Sequence, residues 1–131
     1  MKNNMHQKRI SMMEMLYQFD FYECNLEEFK KHCELNIQKD RFLKITSQYN
    51  TLDPIIDKHL TNYRFSRLSI VDRSIIRLAL FEMLFEKLPK EIAINEALNL
   101  TKIYSNLDDD KQVKFNNKLL DKISKELQWN I

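Results

Sequence analysis

The stretch Arg67-Leu-Ser-Ile-Val-Asp-Arg-Ser-Ile-Ile-Arg-Leu-Ala-Leu-Phe-Glu-Met-Leu-Phe85 decides how this chain folds. From Ile75 to Phe85 only Arg77 and Glu82 are polar. The apolar residues keep neither the two-residue alternation of a strand nor a single helical stripe. A helix that is apolar almost all round belongs in the centre of a bundle or in a membrane. Membrane spans need roughly 18 or more apolar residues with few charges, and Asp72, Arg73, Arg77 and Glu82 interrupt this run. The expectation is a central helix of a soluble protein, wrapped by other helices.

Composition points the same way. A chain of 131 residues suits one domain, residues 1–131, that buries about two-thirds of its unfolded surface. Apolar residues at 44% and charged residues at 31% exclude a disordered chain. There is no glycine and there are only two prolines. Tight primed hairpins usually need glycine, so helices are favoured, with Asn expected at their C-terminal turns. A net charge of +2 is too small for a strong non-specific nucleic-acid binder, and local patches matter more than the sum. The N-terminus, Met1 to Arg9, lacks the apolar segment of a secretory signal. Cys24 and Cys33 are too few for a disulfide framework and lack zinc spacing; His32 beside Cys33 reads as an ordinary neighbour. A cytoplasmic, metal-free protein is expected.

Outward from the centre, the periodicity predicts about seven helices. Ile10, Met13 and Tyr17, flanked by Met12, Leu16 and Phe19, set a first helix from about Asn4 or Gln7 to Tyr22. Lys2, Lys8 and Arg9 precede its first acid, Glu14, where cations oppose the helix dipole unless solvated or matched by an anion. Asn25 with Glu28 predicts the cap of a second helix, with Leu26, Phe29, Cys33 and Ile37 on its buried side. A third runs from about Asp40 to Tyr49. Asp53-Pro54 reads as N-cap and first helical position of a fourth. His59 on that helix is expected to be a packed or rim histidine. Tyr63 to Arg67 is a connector. Ser69 with Asp72 has the form of a capping box, starting the central helix near Ile70, and Leu88-Pro89 stops it. Helices from about Ile92 to Tyr104 and Lys111 to Leu127 follow, separated by a polar loop, Ser105 to Asp110. The fold class is all-α, a compact bundle around a central apolar helix.

Catalytic constellations are missing. Phosphate cradles need glycine-rich loops, and no Gly-x-Ser-x-Gly, His-Glu-x-x-His or paired Cys-x-x-Cys occurs. No catalytic residue, cofactor or metal site is expected. Other residues carry a resemblance. Arg67-Leu68, Val71-Asp72-Arg73-Ser-Ile-Ile-Arg77-Leu-Ala79 and Glu82-Met-Leu84 resemble the central signature of the NusB family of transcription antitermination factors. The match continues through Pro89, Ala93-Ile94-Asn95-Glu96-Ala97, Lys114-Phe115, Asn117 and Leu120-Asp121-Lys122, with Leu16-Tyr17 near the N-terminus.

The resemblance implies an all-α fold of two packed helical sub-bundles. It implies binding to single-stranded boxA-like RNA of ribosomal RNA leader transcripts, together with NusE, a small-subunit ribosomal protein, within the RNA polymerase antitermination complex. No membrane partner is implied, and a homodimer is compatible with the family. The resemblance carries over Arg9, Tyr17 and Phe115 as RNA-binding residues, and the expected site adds this chain's own Lys2, His6, Lys8 and Lys118: cations to neutralise phosphates and aromatic faces to stack bases. Relatives carry several arginines where this chain has Met5, His6 and Gln7, and a glycine where it has Lys118. Asp72 occupies the family position that faces NusE, besides capping the central helix. Arg77 and Glu96 are expected to pair between the central helix and the next. Asn95 and Asn117 are expected to satisfy backbone groups inside the bundle, and Asp121 to be structural. Two alternatives carry other functions: a NusB-fold protein–protein scaffold that has lost most RNA binding, and the N-terminal domain of rRNA cytosine methyltransferases, for which this chain has no cofactor domain.

Overall fold

The computed structural model describes residues 4–22, 25–32, 36–105 and 109–129. Lys2, Cys24, Cys33, the side chain of His32 and residues 106–108 of the acidic loop lie outside the described residues. Seven α-helices lie within them: α1 (Asn4–Tyr22), α2 (Leu26–His32), α3 (Lys39–Ser47), α4 (Tyr49–His59), α5 (Ile70–Phe85), α6 (Lys90–Tyr104) and α7 (Lys111–Trp129). A short 3-10 turn, Phe65–Arg67, leads into α5.

Every residue of α5 from Ser74 to Glu82 is buried. Helices α1, α4, α6 and α7 pack directly on α5, while α3 bridges α1 and α4. The central helix is thus shared between α1–α3 on one side and α4, α6 and α7 on the other. Phe19, Phe29 and Phe42 form an aromatic wedge joining α1, α2 and α3. No described helix is long and apolar enough to cross a membrane.

The local signals at both ends of α5 act as the sequence predicts. The Ser69 Oγ accepts the Asp72 backbone N–H at 3.0 Å and its hydroxyl donates to the Asp72 carboxylate at 2.7 Å. At the other end the Leu88 N–H donates to the Glu82 carbonyl at 3.0 Å, with Lys87 in the left-handed region at φ 56°. Asn was expected at such positions; the structure uses Asn62, but also Lys87, Asp109 and Asp110.

Four expectations fail for identifiable reasons. Asp53-Pro54 does not start α4. The helix begins at Tyr49, where the Gln48 carbonyl receives the N–H groups of Thr51 and Leu52, and Leu52 is buried. Pro54 sits exposed inside the helix, where its missing N–H leaves one carbonyl near the helix start to water. Ile37 is 89% exposed, because α2 stops at His32 and position 37 belongs to the connector before α3.

Arg77 does not pair with Glu96. Its Nε and Nη2 grip both Asp53 oxygens at 2.8 and 2.7 Å, and its Nη1 reaches Asp20 at 2.6 Å. The guanidinium lies 3.8 Å from the centre of the Tyr49 ring and 5.0 Å from that of Phe65. Burial works against this charge, yet the bonds to Asp53 and the fields of Tyr49 and Asp20 keep its pKa above the usual arginine value. Asn95 and Asn117 are exposed, so neither satisfies groups inside the bundle. The buried asparagine is Asn116, on the same side of α7 as Leu119, Leu120 and Ile123. Asp121 pairs with Lys125 one turn on, at 3.0 Å. Removing one partner of a buried ion pair strands the other. Arg77→Ala is expected to destabilise by about 3 kcal/mol, the low end of the range because Asp20 and Asp53 keep some water. Urea melts of the variant check this.

Candidate nucleic-acid interface

Among the described N-terminal cations, Arg9 does not join the solvated patch that its sequence position implies. Arg9 is 4% exposed, and its Nε donates to Glu82 at 2.9 Å. Arg41 of α3 joins them, reaching Glu82 at 3.3 Å and gripping Glu86 at 2.8 and 2.7 Å. The Gln38 side chain donates to the Lys8 carbonyl at 3.1 Å. This network ties α1 and α3 to the last turns of α5. His6 is drawn to Glu96 of α6 at 3.5 Å, which leaves Lys8 as the exposed cation of the predicted set on described α1 residues.

Burial pushes the Glu82 carboxyl above the ordinary glutamate value, although Arg9 and Arg41 pull the other way. The pair therefore fixes the register of α1 on α5 more than it adds stability.

The predicted aromatics lie at the other end of α5. Tyr17 stacks on Phe21 at 5.6 Å, and Phe21 meets Tyr22 edge-on at 5.2 Å. These rings share a recess with Val71 and Tyr104. Val71 and Glu82 are 11 positions apart on α5, about 16 Å along its axis. Arg9 and Tyr17 thus belong to different surfaces. Phe115 is half-buried against Tyr63 at 5.5 Å, beside a shallow recess formed with His59, Lys118 and Lys122. Lys118 is exposed there. His59 has only 11% of its side chain exposed, and both ring nitrogens face acceptors: Nδ1 the Ile55 carbonyl at 2.7 Å and Nε2 the Glu126 carboxylate. Hydrogen bonds from Lys58 and His59 hold Glu126 below the usual glutamate value.

Asp72 is 4% exposed, so it is an internal residue and not a surface carboxylate offered to a partner. Besides Ser69 it accepts from Ser105 at 3.1 Å and from the Asn116 amide at 3.1 Å. Asn116 also donates to Thr101 at 3.1 Å and accepts from Gln112 at 2.9 Å. The chain of bonds joins the start of α5 to the end of α6 and the start of α7, and places Phe115 beside it.

Sequence reasoning missed Tyr63, Arg41, Lys122 and Asn116. Asn116 had a signal, since it lies within the apolar stripe of α7. Tyr63 stood in the connector with Arg64 and Arg67, all exposed here, and only the packing of that connector on α7 brings it to Phe115.

A glycine-free helical bundle wrapped around one buried helix, with exposed rings beside cations, places the chain among small all-α proteins of two helical groups. The chain belongs to the NusB family: the family model, described as "NusB family", matches residues 6–125. Among its relatives, the transcription antitermination protein NusB of Bacillus pumilus is 32% identical over 126 residues, covering 92% of this chain and 94% of that protein. The protein of the same name from Sulfurimonas denitrificans is 34% identical over 130 residues, covering 92% and 96%. A solved structure of T. maritima NusB superimposes with a TM-score of 0.76 at 30% identity, over 92% of this chain and 90% of that one. A chain from the crystal structure of antitermination factors NusB and NusE in complex with dsRNA gives 0.74 at 28%, over 96% and 99%.

Two outcomes distinguish the network at Arg9 from a phosphate site. Arg9→Ala is expected to cost about 3 kcal/mol of stability while leaving the salt dependence of RNA binding unchanged, as measured by thermal melts and titrations side by side. Glu82 supplies the pH test. Its folded carboxyl holds its proton to higher pH than the unfolded one. Its contribution is therefore fully present below the ordinary glutamate range and is lost as pH rises through the folded pKa. The difference in unfolding free energy between wild type and Glu82→Gln should fall across that window; a difference that rises with pH contradicts the assignment.

Proposed function

We propose that this protein is a non-catalytic, RNA-binding transcription antitermination factor that acts with NusE on boxA-type single-stranded RNA during ribosomal RNA transcription. The observation that carries the reading is a NusB-family chain whose Phe115 and Tyr63 rings lie together beside Lys118. Exposed rings can stack only bases that are free of a duplex, so they suit a single strand. Phe115 and Lys118 receive the RNA, with Lys2, Lys8 and His6 as outlying cations and Tyr17 on the neighbouring aromatic face. NusE docks near the start of α5, where Asp72 acts from inside by fixing that turn. The protein works in the cytoplasm as one domain within the RNA polymerase antitermination complex, and its homodimer, where formed, competes with that assembly.

The scaffold alternative lacks a supporting observation: it rests on the depleted N-terminal arginines, whereas Arg9 is buried and Tyr63 and Lys118 are exposed beside the half-buried Phe115. The test is filter binding to boxA-like and scrambled RNA, with and without NusE. A salt-sensitive preference for boxA-like RNA is expected. Phe115→Ala should weaken it by about 1–3 kcal/mol, roughly 5- to 150-fold. Equal affinity for the scrambled RNA overturns the proposal.

A further inference from the structure

Helix α7 buries one side and charges the other. Lys111, Lys114, Lys118, Lys122 and Lys125 recur every three or four residues, and all five are exposed. At about 100° per residue they fall within an arc of about 80°, opposite the buried Asn116, Leu120 and Ile123. The stripe is about 21 Å long. No acidic residue falls inside the arc. An ordinary solvated helix face intersperses acids at i and i+4, and this one does so only at its edges. There Asp121 is engaged by Lys125 and Glu126 by Lys58 and His59. Among the described residues, Lys122 donates to the neutral Thr61 hydroxyl, at 3.1 Å, and to no acid. Phe115 borders the stripe near its N-terminal end, with Tyr63 against it.

We propose that α7 is a backbone track for single-stranded RNA: bases stack at Phe115 and Tyr63, and the sugar–phosphate chain continues along the lysines to Lys122 and Lys125. The inference rests on the RNA-binding reading above and extends the site well beyond the ring pair. An anionic membrane is a poorer fit, because the apolar face that would enter a bilayer is spent on the core through Leu119, Leu120 and Ile123. Asn116 ties the N-terminal part of α7 to Asp72, so the lysines beyond it lead away from that contact.

The experiment compares single-stranded RNAs of about six and about sixteen nucleotides, within the range of single-strand site sizes, by fluorescence anisotropy at several salt concentrations. The proteins are wild type, Lys122→Gln/Lys125→Gln and Phe115→Ala. Each lost phosphate contact removes about 0.7 from the slope of log K against log salt. Because Asp121 shares Lys125, the double variant should lose between about 0.7 and about 1.4 of slope on the long RNA, with no change on the short one and an unchanged thermal melt. An unaltered slope on the long RNA, with Phe115→Ala still weakening both, overturns the track and leaves the ring site standing. Failure of wild type to bind either RNA overturns both. Capture by phosphatidylglycerol vesicles without any gain from RNA length assigns the stripe to a membrane and overturns the proposal as well.

Discussion

Three buried charged side chains on α5 hold this bundle in register. Asp72, Arg77 and Glu82 are five positions apart, so successive members turn by about 140° around the helix and point to three different sides. Asp72 meets α6's end and α7 through Ser105 and Asn116. Arg77 meets α1 and α4 through Asp20 and Asp53. Glu82 meets α1 and α3 through Arg9 and Arg41. An apolar helix among apolar helices can slide or rotate at modest cost, but a buried charge that loses its partner is strongly destabilising. The helix that is most apolar in the chain therefore depends on its few polar residues for a unique arrangement.

That arrangement decides where a ligand can be met. Glu82 withdraws Arg9 from the surface, and Arg41 completes the withdrawal by spanning Glu82 and Glu86. At the opposite end Asp72 draws its donors inward and leaves Phe115, Tyr63 and Lys118 outside. The same device, a buried charge on α5, removes one sequence-predicted cation from the binding surface and orients another part of that surface. The groups left for a ligand to meet lie at the rim of the central helix because the centre is committed to its internal partners.

Much of this was legible from the chain alone, where the signals were local. The Ser69–Asp72 box places the start of α5 because capping depends on residues three apart, and the apolar run from Ile75 predicts its burial. The partner of Arg77 was not legible: Asp20, Asp53 and Glu96 were all plausible carboxylates, and the choice depends on how α1, α4 and α6 rotate around α5. Two errors were avoidable. Arg9 stands three, four and seven positions before Met12, Met13 and Leu16, so helical periodicity already turned it toward the core. Of the adjacent Asn116 and Asn117, only the first shares the stripe of Leu119, Leu120 and Ile123. In both cases position on the helix outweighs charge and polarity. Pro54 is the converse case, a strong local signal overridden by the burial of Leu52 two residues earlier.

The bond between Asp72 and Asn116 links the two ends of the functional question. Asn116 follows Phe115 directly, and its side chain is held by Asp72, Thr101 and Gln112. With that amide held inside, rotation of α7 would break its buried bonds, and the Phe115 ring lies against Tyr63 in the free chain. A ring already ordered has less conformational freedom to lose on stacking, which raises affinity without any added contact. The first turn of α5, capped by Ser69 and Asp72, belongs to the same network, so a protein partner docking there meets a surface rigidly joined to the rings. Coupling between two sites requires an element with two arrangements that both ligands bias. A satisfied, buried hydrogen-bond chain offers one arrangement. The geometry thus favours pre-organisation of a composite surface over a switch within the chain.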